Sequence, residues 1–67
     1  MIYKDCDGVR LKEGDEIEFS YGIPPTTGLV LMGKENGRLM VEDAKGQKMR
    51  MSEFMKYYGD VCYKVEK

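Results

Sequence analysis

Carboxylates are the most concentrated chemical groups in this sequence. Asp5, Asp7, Glu13, Asp15, Glu16 and Glu18 crowd the first 20 residues against Lys4, Arg10 and Lys12, a net charge of −3. Two kinds of chemistry use such a group. Asp5-x-Asp7-Gly8 resembles the head of a calcium loop, which needs a third oxygen donor before its glycine and a bidentate Glu six residues after it. Here the third donor is missing and the sixth residue after Gly8 is Gly14, so a turn is expected instead. Paired carboxylates also serve general acid–base catalysis when burial or a neighbouring charge perturbs their pKa values. Glu16 and Glu18 share one face of an alternating segment with nothing nearby to bury them, so a solvated strand face is expected.

The chain has no histidine and its two cysteines form no C-x-x-C pair, so the ligands of a structural zinc site are lacking. Cys6 and Cys62 stand near opposite ends. If the terminal strands pair, the thiols approach, and a disulfide would stabilise the chain by about 4 kcal/mol on the chain-entropy model. Reduced thiols are the default in a cytoplasmic protein, and whether the two pair stays open. No nucleophile stands beside a general base. A non-enzymatic protein without cofactor or metal is expected.

Two binding chemistries remain. Tyr21, the Ile23-Pro24-Pro25 loop and Tyr57-Tyr58 supply the aromatic and proline-rich surface that holds extended peptides, and Tyr21, Ile23, Pro24 and Tyr57 are the candidate protein-binding residues. Residues 34–50 carry a net of +2, and Arg38, Lys48 and Arg50 are expected on one strand face. With Tyr21, Tyr57 or Tyr58 as stacking platforms beside them, these cations form the alternative, a nucleic-acid surface. The overall net charge of −1 argues against a surface built wholly for DNA. Protein partners are therefore favoured over nucleic acid.

The elements that position these groups are short strands. Met1 to Lys4 is an extended lead-in that meets the C-terminal strand or pairs with Val9-Arg10-Leu11. Asp7-Gly8 and Glu13-Gly14-Asp15 are reversals, and Glu16 to Tyr21 is a strand with Ile17 and Phe19 inward. Gly22 to Gly28 is an irregular exposed loop, since two prolines exclude helix. Gly28 to Gly33 is expected as a strand buried on both faces. Asn36-Gly37 is the strongest hairpin signal, and Arg38 to Glu42 returns with Leu39 and Val41 on one side. Asp43-Ala44-Lys45-Gly46 turns again before Gln47 to Met51, which has Met49 and Met51 inward. Ser52 is expected to cap a short helix that Gly59 stops. Asp60 to Glu66 closes the chain as a strand with Val61, Tyr63 and Val65 inward.

At 67 residues this is one domain, 1–67, whose core supports a stability of roughly 3–5 kcal/mol. An apolar share of 42% with 34% charged residues is that of a soluble globular chain. No apolar run approaches the roughly 20 residues that span a bilayer, and the basic-then-apolar layout of a signal peptide is absent, so a cytoplasmic protein is expected. Five to six antiparallel strands with one helical turn before the last describe an all-β, SH3-like small barrel, with an OB-fold as the alternative topology.

The opening Asp7-Gly8…Leu11-x-x-Gly14-Asp15-x-Ile17 resembles the start of several SH3-like families, among them the C-terminal barrel of PhnA-type proteins, whose zinc ribbon is absent here. The chain is similar over most of its length to the YopX-like proteins of phages and prophages. The resemblance lies in a Gly-Asp-x-Ile strand, a Gly-x-Val strand at Gly28-Leu29-Val30 and a late glycine-led strand with a tyrosine, here Gly-x-x-x-Tyr from Gly59 to Tyr63. The resemblance implies a small accessory protein encoded by a phage or mobile element. The plasmid-borne dihydrofolate reductases are SH3-like barrels of similar size, but their catalytic Gln-Ile-Tyr run is replaced here by Lys48-Met49-Arg50-Met51. An outward Met40 and an apolar loop on a small core favour a homo-oligomer.

Overall fold

The computed structural model describes residues 2–65. The chain starts as a two-stranded antiparallel ribbon, β1 (Tyr3–Lys4) and β2 (Arg10–Leu11), with Tyr3 opposite Leu11. A reversal at Glu13-Gly14 leads into β3 (Glu16–Tyr21), where Ile17 is buried and Glu18 exposed, as the alternation of apolar and charged residues dictates. A tight turn, Gly22 to Pro25, reverses the chain into β4 (Thr26–Glu35). The segment expected as an irregular loop is therefore a hairpin tip, because strand pairing runs out to Tyr21 opposite Thr26. Asn36 and Gly37 both take positive φ, 51° and 79°, and form the two-residue turn into β5 (Arg38–Asp43). β6 (Lys48–Arg50) follows, runs without a loop into α1 (Met51–Tyr58), and β7 (Cys62–Lys64) ends the sheet.

The five longer-range strands pair antiparallel in the order β6-β5-β4-β3-β7, and β1 and β2 form a separate sheet. The chain is thus mostly β with one short helix. Neither sheet closes on itself as a barrel among the described residues. One face of the five-stranded sheet carries the core. Ile17, Val30, Met32 and Val41 project from it to meet Leu11 of the ribbon, Met51 and Phe54 of α1, and Cys62 of β7. Burying each of the larger side chains contributes about 2 kcal/mol of transfer free energy.

Three expectations are corrected by this one-sided packing. β4 is not buried on both faces: Val30 and Met32 are, whereas Leu29 and Leu31 are 52% and 48% exposed on the uncovered face. β7 alternates with the opposite phase, because Cys62 lies opposite Phe19 and so faces the core. Tyr63 lies beside Glu18 and, like Val61, is exposed. The N-cap of α1 is Arg50 rather than Ser52, with no side-chain capping bond. Starting the helix there buries Met51 completely. Gly59 does stop the helix, but in a right-handed conformation, and its lack of a Cβ avoids a collision with the Met55 carbonyl oxygen. No helix among the described residues is long and apolar enough to cross a membrane.

Candidate functional site: an aromatic cleft between sheet and helix

Residues two apart on a strand share a face, so Phe19 and Tyr21 both stand on the core side of β3. Opposite Phe19 lies Gly28. A Cβ there would come within 2.8 Å of Phe19 Cζ and 3.2 Å of Tyr21 Cε1, so the glycine lets both rings lie down across β4. Residues four apart share a helix face, and α1 contributes Phe54 and Tyr58 in this way. Phe19 meets Phe54 edge-on, with centroids 5.2 Å apart and planes at 89°, and meets Tyr58 at 4.7 Å. Tyr21 lies 5.5 Å from Phe19. Tilted and edge-on contacts of this kind are the favoured ones for aromatic quadrupoles. The cluster grades from core to surface, Phe54 being 1% and Tyr21 45% exposed.

These rings, with Met49 of β6 and the turn at Asp43–Gln47, bound a cleft of about 500 Å³. That size falls in the range of roughly 300–1,000 Å³ typical of ligand sites. The turn that forms its polar end is held by Asp43. Its Oδ1 accepts from the backbone N–H groups of Lys45 and Gln47, both at 2.9 Å, while its own N–H donates to the Gln47 carbonyl. Lys45 stands at the rim.

The same turn occurs at Asp5, in the segment that resembles the head of a calcium loop. Asp5 Oδ1 accepts from Asp7 N–H at 2.9 Å and Val9 N–H at 2.8 Å, and Asp5 N–H donates to the Val9 carbonyl. Its Oδ2 accepts from Lys64 N–H at 3.0 Å, pinning the ribbon to β7. Burial pushes this carboxyl up, but the backbone hydrogen bonds of Lys64, Val9, Asp7 and Gly8 outweigh it, leaving the pKa below the ordinary 3.8. Cys6 N–H reinforces the junction by donating to the Cys62 carbonyl at 3.0 Å. Both thiols are free, Cys6 exposed and Cys62 buried. Burial, then the proximity of Cys6 and Asp5, pushes the Cys62 thiol up.

Of the candidate protein-binding residues, Tyr21 lines the cleft. Ile23 and Pro24 sit beyond it at the hairpin tip, with Ile23 fully exposed. Tyr57 stands behind Tyr58, ring centroids 6.3 Å apart, on the exposed side of α1. Sequence reasoning placed Tyr58 in an aromatic surface with Tyr21 and Tyr57 but missed Phe19, Gly28, Phe54 and Asp43. The i, i+2 spacing of Phe19 and Tyr21 and the i, i+4 spacing of Phe54 and Tyr58 were signals of the rings. The shared Asp-x-x-Gly pattern at Asp5 and Asp43 was the signal of the turn.

Arg38, Lys48 and Arg50 do share the outer face of the sheet, since Leu39, Val41 and Met49 of the same strands pack on the core. They are interleaved with carboxylates. Arg38 pairs in register with Glu35, Lys48 with Glu42, and Lys48 Nζ bonds Glu35 Oε2 at 3.0 Å. That hydrogen bond, with the charges of Glu35 and Glu42, raises the Lys48 pKa. The tyrosine platforms expected beside these cations lie on the other side of the sheet: Tyr21 and Tyr58 line the core-side cleft, which Lys48 also borders and Arg38 and Arg50 do not. Exposed Leu29 and Leu31 share the outer face with the cations instead. Comparison with family models, curated proteins and solved structures finds no match for this chain.

Proposed function

We propose that this chain is a small non-enzymatic binding module on an SH3-like barrel, holding an extended segment of a partner protein in the aromatic cleft. The observation that carries the reading is the cleft itself, lined by four rings, two of them resting on Gly28, with a hydrogen-bonding turn at one end. Such a slot takes an apolar side chain and offers polar groups to a peptide backbone. The barrel reading is supported by the β3–β6 meander, the short helix and the return of β7 to β3. Tyr21 contacts the segment at the mouth, and Ile23, Pro24 and Tyr57 extend the contact beyond it. The YopX-like pattern supports a cytoplasmic accessory protein of phage or mobile-element origin. Leu29 and Leu31 support a homo-oligomer in which a second copy covers the outer face.

The nucleic-acid alternative on Arg38, Lys48 and Arg50 has less support, because Glu35 and Glu42 stand among these cations. The test is to pan short random peptides on the immobilised domain. Enrichment of peptides with an aromatic or large apolar residue is expected. Tyr21→Ala should weaken them about tenfold, whereas Arg38→Glu with Arg50→Glu, neither of which lines the cleft, should leave them unchanged. Failure to enrich any peptide overturns the reading. Steeply salt-dependent binding of labelled single-stranded DNA would install the alternative.

A further inference from the structure

The two Asp-x-x-Gly turns differ in one respect that bears on the cleft. Each closes a hairpin with the aspartate N–H bonded to the carbonyl four residues on, at 2.9 Å for Asp5 and 3.0 Å for Asp43. Each aspartate carbonyl accepts from the glycine N–H, at 3.0 Å from Gly8 and 3.1 Å from Gly46. Both glycines take the left-handed φ, 81° and 83°. Each Oδ1 accepts two backbone N–H groups. At Asp5, Oδ2 then accepts the N–H of Lys64, a residue of an extended strand laid against the turn. At Asp43, Oδ2 accepts no hydrogen bond among the described residues, and the side chain is half-buried in the wall of the cleft.

The geometry points to Asp43 as the anchor for a partner's backbone: its Oδ2 receives an N–H of an extended segment whose neighbouring apolar side chain enters the aromatic cleft, as Asp5 receives Lys64. This rests on the peptide-binding reading above and names the bond that orients the peptide. Charge complementarity selects the occupant. A carboxylate oxygen is an acceptor only, so the group facing it is a donor, and a backbone N–H supplies one wherever the segment is extended and its residue is not proline. Lys45, beyond Asp43 at the rim, is matched by a carbonyl or an acidic side chain on the same segment. A charge-assisted bond of this kind is stronger than a neutral one.

The experiment uses a peptide enriched in the panning described above. Asp43→Asn keeps an oxygen for the turn and replaces the second acceptor by a donor, so the variant should melt with the parent. Its affinity for the peptide should fall about tenfold. An ester replacing one amide N–H of the peptide should cost the parent protein a similar factor at a single position. At that position the ester should cost Asp43→Asn nothing further. Unchanged affinity in Asp43→Asn, or ester losses that simply multiply with it, overturns the anchor while leaving the cleft reading intact. If no peptide is enriched, both fall.

Discussion

The chain makes one turn twice, at residues 5–9 and 43–47, and sets it in two surroundings. Around Asp5 the turn is roofed by β7, and the carboxylate, 8% exposed, satisfies three backbone N–H groups. Around Asp43 the turn opens on a cleft, and the carboxylate satisfies two. The backbone path is the same, so any difference in behaviour belongs to what covers the turn. Buried acceptors hold a fold together, and exposed ones are left to meet water or a ligand.

The sharpest way to break this comparison is to remove both carboxylates in turn. Asp5→Ala removes the shared acceptor of three part-buried hydrogen bonds and should cost about 3 kcal/mol, close to the whole stability of a domain this small. Urea unfolding measures it, and a loss no greater than that of Asp43→Ala would dissolve the distinction. Acid gives the second test. Because the Asp5 pKa is lowered on folding, its contribution is fully present above the unfolded value and is lost as pH falls through the folded one. Thermal melting followed downward from pH 5 should decline in the parent, and Asp5→Asn should flatten that decline.

Smaller effects test the likeness rather than the difference. Gly8→Ala and Gly46→Ala each force a side chain into the left-handed region, where neither would meet a close atom. Both should cost about 1 kcal/mol, and equally. Asp43→Ala should cost less again, since its two donors pass to solvent.

Much of this architecture was legible because it depends on local chemistry. Asn36-Gly37 makes the turn its positive φ values require, and Ile17 and Glu18 separate across β3 as alternation demands. What was not legible depends on partners distant in the chain. Cys62 against Tyr63 is a choice of phase that only the register with Phe19 decides. Leu29 reads as core until one learns that a single face of β4 is covered. The cleft needed both lessons. Its rings come from two elements, and Tyr21 and Tyr58 stood out in the sequence whereas Phe19 and Phe54 look like core residues there. Asp43 was read as a turn residue, which it is; its second oxygen acquires meaning only beside the cleft.

The bond from Lys64 N–H to Asp5 has a consequence in time as well as in stability. It joins residues 59 apart, so forming it early would close nearly the whole chain at full entropic cost. By the same reasoning the β3–β6 meander and α1, built from nearer neighbours, are expected to assemble first and the ribbon to dock on β7 afterwards. Asp5→Asn should therefore leave the refolding rate in a stopped-flow chevron unchanged and place its whole effect on the unfolding limb. The junction then governs how long the native state lasts, and has little say in how fast it is reached.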